Sequence, residues 1–219
     1  MIKYIFWDFD GTIADSLNLA IEVTNLLAKK YNLKQVDMSK IDYYKGLTIF
    51  ELIKEFNLNI LNIPKLAIEF KRLIRERVNE LELIPNLNEV ILKISEYAMQ
   101  GILTSNSKQN VKIFLENHSL ANYFCCIFSE RQFMGKEFSL RKILRKMKIS
   151  RSEIIYIGDE YRDIIAAKRV GIKSIAVLWG FNSLKALKKA SPTFFAQEPN
   201  HIISIIKKLY NESTNSSNR

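Results

Sequence analysis

The sequence is short of the residues that build covalent or soft-metal scaffolds: two cysteines and two histidines stand among 219 residues. Cys125 and Cys126 are adjacent, and neighbouring cysteines rarely bridge each other because the link is strained, so no disulfide framework is expected. They read as two reduced thiols in a buried apolar strand at 124–128, which suits a reducing compartment. A reactive thiol would need a basic or helix-N-terminal neighbour that the sequence does not show. His118 and His201 have no metal-ligand partner at useful spacing, and zinc-finger spacing is absent. No stretch is long enough and free enough of charge to span a bilayer. The few residues ahead of Asp8 are too short for the core of a secretory signal. The expectation is a cytoplasmic protein with no membrane partner.

What is present is an ordinary globular composition, 47% hydrophobic, 11% aromatic and 26% charged, sized for one large domain or two smaller ones. The net charge is +10, and residues 131–190, with 15 basic and 5 acidic side chains, carry the whole excess. A basic surface can bind nucleic acid or steer a small anion. No aromatic ribonucleoprotein motif or helix-turn-helix accompanies it, so nucleic acid is the disfavoured partner.

Short continuous apolar runs at 3–7, 101–105, 154–157 and 173–178 read as parallel strands covered on both faces, with weaker strands at 124–128 and 193–196. Helical patterns lie between them at 86–99, 108–117, 139–147, 160–170 and 199–210, and Gly101 and Gly171 follow two of these as C-terminal caps. The alternation predicts a doubly wound, Rossmann-like parallel α/β sheet. Residues 16–82 interrupt it with consecutive helices at 16–31, 39–44, 48–56 and 64–83, so they read as an inserted all-helical block. The core is then 1–15 and 83–210, and 211–219, "NESTNSSNR", is a polar tail expected to fray.

Residues 4–12, "YIFWDFDGT", end the first strand on two aspartates one residue apart. Asp8 and Asp10 would share a face if the strand continued, a costly arrangement without a cation or a proton between them. In an open parallel sheet, sites form beyond the carboxyl ends of the strands. Asp8-Phe9-Asp10-Gly11-Thr12 follows the first strand there, Thr104-Ser105-Asn106-Ser107 the second, and Gly158-Asp159-Glu160 with Asp163 a later one; Lys136 lies near the head of a helix. The set points to phosphoryl transfer. Asp8 and Asp159 are hard oxygen ligands suited to Mg²⁺, and a carboxylate such as Asp8 can attack phosphorus. Asp10 is placed to act as general acid and base. Ser105, Lys136 and the backbone amides around Gly11, Thr12 and Asn106 are candidates for holding the phosphoryl oxygens.

"DFDGT", a small hydroxyl residue after the second strand, a lysine and "GDEYRD", in that order, resemble the four motifs of the haloacid dehalogenase superfamily. "LIPNLNEVILKI", "VLWGF" and Gly46 in "YYKGLT" extend the likeness to phosphoglycolate-phosphatase-like and β-phosphoglucomutase-like members, from Met1 to about Tyr210. The resemblance implies a Mg²⁺-dependent phosphatase of a small phosphorylated metabolite. Asp8 is then nucleophile and metal ligand, and Asp10 acid/base with its carbonyl on the metal. Ser105 and Lys136 hold phosphate, Asp159 is a metal ligand, and Asp163 is the second acidic position, with Glu160 beside it. The block 16–82 corresponds to a mobile cap.

Alternatives remain at this level. Thr104 could replace Ser105, Lys142 or Lys146 could replace Lys136, and Asp163 could merely complement a helix dipole. Lys45 is a possible substrate contact or a solvated lysine. "KEFS" stands where relatives carry a proline-rich lysine motif, and Ile49 stands where some sugar-phosphate mutases have arginine. A phosphosugar mutase is the nearest rival, and a nucleic-acid-binding protein with a vestigial site the more distant one. Substrate and oligomeric state are not legible here.

Overall fold

The computed structural model describes residues 1–130 and 135–217. The first strand β1 (Tyr4–Trp7) is followed by β2 (Ala14–Asp15) and by four helices, α1 (Leu17–Lys30), α2 (Ile41–Lys45), α3 (Ile49–Glu55) and α4 (Ile63–Glu76). Then come β3 (Glu82–Leu83), α5 (Leu87–Ile94), β4 (Met99–Thr104), α6 (Lys108–Asn117) and β5 (Phe124–Ser129). The chain continues through α7 (Gly135–Met147), β6 (Ile154–Gly158), α8 (Tyr161–Val170) and β7 (Lys173–Val177). It closes with α9 (Leu184–Ala190), β8 (Phe194–Ala196) and α10 (Pro199–Ser217).

Six strands form one parallel sheet in the order β5-β4-β1-β6-β7-β8, the predicted α/β architecture. Side chains alternate faces along a strand, and here both faces are covered. Ile5 and Trp7 of β1, with Ile155 and Ile157 of β6, face a core that includes Leu87 and Ile91 of α5, Phe114 of α6 and Ile202 of α10. Phe6 and Tyr156, one residue out of phase, face Leu140 and Ile143 of α7 and Ala167 of α8. Two buried faces are why these strands read as unbroken apolar runs.

The helices α1 to α4 are bracketed by one antiparallel ribbon, where Ala14 pairs with Leu83 and Asp15 with Glu82. Two-residue strands carry no periodicity, so the ribbon was invisible in the sequence, and the helix expected to reach 83 ends at Glu76. The helix expected over 86–99 likewise stops at Ile94. Gln100 is buried in β4; it accepts from Trp7 Nε1 (3.0 Å) and donates to the Ile91 carbonyl (2.9 Å). Short α9, with three lysines around buried Ala186 and Leu187, was not anticipated.

α7 begins at Gly135, earlier than the expected 139, and so includes Lys136. α10 runs on to Ser217 instead of stopping near 210. Neither proline nor glycine follows Pro199 to end it, and Lys208 and Glu212 face each other one turn apart at 4.0 Å. The cysteines also depart from expectation: β5 is the sheet edge, Cys125 is exposed and Cys126 half-buried, both as free thiols. Among the described residues no helix is long and apolar enough to cross a membrane.

Candidate active site

The polar clusters gather beyond the carboxyl ends of β1, β4 and β6, where β1 lies between the other two. The central strand delivers Asp8 into a buried position, with Oδ1 accepting the Phe9 amide at 2.8 Å and Oδ2 accepting Lys136 Nζ at 2.5 Å. The backbone then turns through Gly11 at φ +72°, closed by the Gly11 amide on the Ala14 carbonyl (2.9 Å) and on Ser16 Oγ (3.1 Å). That turn separates the two aspartates: Asp10 swings towards β4, where both its carboxylate oxygens accept Asn106 Nδ2 at 3.2 Å.

Gly11 and Thr12, candidates for phosphate contact, have their amides committed inside this turn, Thr12 donating to the Phe9 carbonyl at 3.3 Å. The buried Thr12 hydroxyl instead donates to Asp159 Oδ1 at 2.7 Å. The other Asp159 oxygen accepts the Phe181 amide at 2.7 Å. Backbone presses closely on this carboxylate. A β-carbon on Gly180 would lie 2.2 Å from Asp159 Oδ2, and one on Gly11 2.4 Å from it. The glycine of "VLWGF" thus makes room for Asp159, and Trp179 packs beneath with Nε1 on the Thr12 carbonyl (3.2 Å).

Asp163, in the first turn of α8, is fully buried and does two things at once: one oxygen accepts the Glu160 amide at 3.1 Å and the other accepts Lys136 Nζ. It is therefore both the helix-start acid and a partner of Lys136. Lys136 spans Asp8 and Asp163 from the head of α7, with Nζ 5.6 Å from the Tyr156 ring centre. Lys146 lies over Phe128 instead. Glu160 pairs with Arg162 at 2.6 Å. Thr104 is buried in its strand with its hydroxyl accepting the Asn106 amide (2.9 Å), and Ser105 lies one residue beyond, in the loop. Asn106 is further held through Oδ1 by the Ser107 amide (2.8 Å) and Asn110 Nδ2 (2.9 Å).

Burial pushes the Asp8 carboxyl above its usual range, against the pull of Lys136. Burial also raises Asp10, opposed by the Asn106 hydrogen bond. Asp159 is raised well above the ordinary aspartate value by burial and then by the charges of Glu160, Asp8 and Asp163. For Lys136, burial works against the charged form, but Asp163 and Asp8 outweigh it and hold the ammonium well above its usual value. Asp8, Asp159 and Asp163 each offer an oxygen within 4.8 Å of the others. Three buried carboxylates against one ammonium leave a surplus of negative charge on hard oxygen donors, which fits a divalent metal ion.

Hydrogen bonds from two parts of the helical block bring it to this edge. The Lys45 carbonyl accepts the Ser183 amide (2.8 Å) and Asn182 Nδ2 (3.2 Å), both in the loop after β7. Lys71 of α4 donates Nζ to the Ser105 carbonyl at 3.1 Å, and burial lowers its pKa. Lys71 was missed in the sequence because helical periodicity tells which face a lysine occupies, not what that face covers. Lys45, singled out there, is tied to the core by its backbone.

The fold and this aspartate–lysine constellation define a hydrolase class. A family model described as haloacid dehalogenase-like hydrolase matches residues 5–177, and the chain belongs to that family. It is 25% identical over 209 residues to a phosphoglycolate phosphatase of Synechococcus elongatus, covering 95% of this chain and 99% of that one. A phosphoglycolate phosphatase of Vibrio cholerae is 24% identical over 219 residues, covering 94% and 97%. Among solved structures, the haloacid dehalogenase-like family protein SP0104 from Streptococcus pneumoniae superposes with a TM-score of 0.80 at 21% identity, covering 93% of this chain and 98% of that one.

Proposed function

We propose that this hydrolase cleaves a small phosphate monoester through a phosphoryl group carried on Asp8. The observation that carries this reading is the pairing of two differently held aspartates. Asp8 is buried against the Lys136 ammonium, and Asp10 is turned away to an amide donor on the neighbouring loop. Lys136 favours the ionised form of Asp8 that a nucleophile needs. The carboxylate attacks phosphorus, and the bond to the leaving oxygen breaks. Asp10, with its pKa raised by burial, protonates that oxygen. A water then attacks phosphorus of the aspartyl-phosphate, gives its proton to Asp10, and releases phosphate and free Asp8. Ser105, the Asn106 loop and Lys136 hold the phosphoryl oxygens.

Asp8 and Asp159, with the Asp10 carbonyl and with Asp163 beside them, are the residues that would hold Mg²⁺. When bound, it supplies positive charge to the phosphoryl oxygens as negative charge builds there. Thr12, Phe181 and Gly180 fix Asp159 for that part.

In this reading residues 16–82 are a cap domain over a core of 1–15 and 83–210, joined through the ribbon at Ala14 and Leu83. The hydrogen bond from Lys71 to the Ser105 carbonyl supports giving Lys71, in preference to the Lys45 side chain, the part of the substrate beyond the phosphate. Phosphoglycolate is the first substrate to try, given the relatives' names. The mutase alternative is weakened by Ile49, which is exposed and apolar where a sugar-binding arginine would stand. Assay of a panel of phosphate monoesters with Mg²⁺ decides the matter. Release of inorganic phosphate without an isomerised phosphosugar is expected, and conversion of a hexose phosphate to its isomer would overturn the phosphatase reading.

A further inference from the structure

The cysteine pair lies on the sheet edge and has no part in the chemistry above. Adjacent residues of a regular strand point to opposite faces, so two neighbouring thiols in β5 should be far apart. They are not. Pairing with β4 runs Gln100 to Phe124 and then Gly101 to Cys126, which leaves Cys125 as an extra, unpaired residue. Such a bulge bends the strand and re-aims its side chains, and here it brings the Sγ atoms to 3.3 Å. Gly101 makes room on the partner strand: a β-carbon there would lie 3.0 Å from Cys126 Sγ. Cys125 is exposed and Cys126 half-buried, so the pair can be reached from solvent.

The protonation of the pair is uneven. The hydrogen bond from Cys126 lowers the Cys125 thiol to about 7, and the same bond raises Cys126. The charges of Lys146 and Lys108 act on Cys126 from α7 and α6 in the opposite sense.

Three kinds of partner could use two adjacent sulfurs. A direct disulfide joins residues whose Cα atoms are usually about 4.4–6.8 Å apart, whereas neighbours across a trans peptide are held at about 3.8 Å. A tetrahedral zinc ion needs four ligands. Among the described residues the only group of three or more metal-binding side chains close enough to share an ion is Asp8, Asp159 and Asp163. A three-coordinate centre that brings its own third substituent needs two thiolates and no other residue. We propose that Cys125 and Cys126 form a vicinal dithiol site for trivalent thiophilic metalloid compounds, of which monosubstituted arsenicals are the type. In the step, two arsenic–sulfur bonds form and the two bonds to the arsenic-bound oxygen break. That oxygen leaves as water with both thiol protons, and arsenic stays trivalent.

The test uses the full chain, reduced with a phosphine and titrated with phenylarsine oxide. Because the chain has two cysteines, thiol counting by a chromogenic disulfide and intact mass give a direct stoichiometry. The expected result is one arsenical per chain with both thiols lost, resistant to excess monothiol and reversed by 2,3-dimercaptopropanol. Cys125→Ser and Cys126→Ser should each weaken capture by about 100-fold or more, the gain that joining two attachments confers. Matching thermal unfolding curves would show that the variants are folded. Two arsenicals per chain, no capture, or single variants that bind as tightly as the parent would overturn the proposal.

Discussion

Lys136 Nζ donates to Asp8 Oδ2 at 2.5 Å, and the same ammonium reaches Asp163, so one cation from α7 holds carboxylates that follow β1 and β6. All three side chains are buried. The contact gives Lys136 two effects: it opposes the rise that burial causes in the Asp8 carboxyl, and it ties two strand ends together.

Lys136→Met should therefore abolish turnover and also weaken the fold. Removing one partner of a buried pair costs about 3–5 kcal/mol. Without the ammonium, burial and mutual repulsion would raise the folded-state pKa of Asp8 and Asp163 further. The penalty is then greatest where both carboxylates are ionised and shrinks as pH falls and they take up protons. Urea denaturation of metal-free protein at pH 8 and pH 5.5 checks this, with the larger loss expected at pH 8.

Gly180→Ala tests how Asp159 is seated. A β-carbon there falls 2.2 Å from Oδ2, with the Asp159 Cβ and Cγ at 2.3 and 2.4 Å, too near for either residue to stay in place. Activity at saturating substrate should fall and the Mg²⁺ concentration needed for half-maximal rate should rise, each by roughly tenfold, the lower end of what misplaced metal ligands and their supports cause. Unchanged metal dependence would show that Asp159 does not ligate.

Lys71→Met and Lys45→Met separate two lysines of the helical block. Loss of a contact made equally in ground and transition states raises KM and leaves kcat nearly unchanged. Lys71→Met is expected to raise KM for the preferred ester by about tenfold or more, a charged hydrogen bond being worth roughly 1.5–3 kcal/mol. Lys45→Met should change KM less, because the Lys45 carbonyl, not its side chain, makes the link to Asn182 and Ser183. Steady-state kinetics on both variants decides between them.

Cys125 should react with iodoacetamide as a thiolate whose fraction climbs through a midpoint near pH 7, since its pKa is lowered from 9.0 to about 7 by the Cys126 hydrogen bond. Cys126→Ala removes that bond, so the midpoint should move up towards 9. Peptide mass spectrometry over a pH series follows the modification.

Much of this arrangement was legible before any coordinates. The apolar run into Asp8, the small loop after β4 and the acid pair after β6 are local signals, and parallel topology alone sends them to one edge. Lys136 meets Asp8 although its helix begins four residues earlier than the pattern at 139 implied. What the sequence hid depends on distant partners. The ribbon of Ala14 and Leu83 is too short for a period, and Lys71 gains meaning only when α4 meets Ser105. Cys125 was read as buried because one bulge is indistinguishable from a regular strand in sequence. The burial of Asp163, which lets a helix-start acid also reach Lys136, follows from the packing of α8 on α7 and is not encoded locally.

The most direct measurement is a rapid acid quench during turnover of the preferred phosphate ester, followed by peptide mass spectrometry. The account predicts one added phosphoryl group on the peptide that holds Asp8, lost on treatment with hydroxylamine and absent from Asp8→Asn, which should also lack turnover. A phosphoryl group on another residue, or an Asp8→Asn variant with near-parental activity, would contradict it.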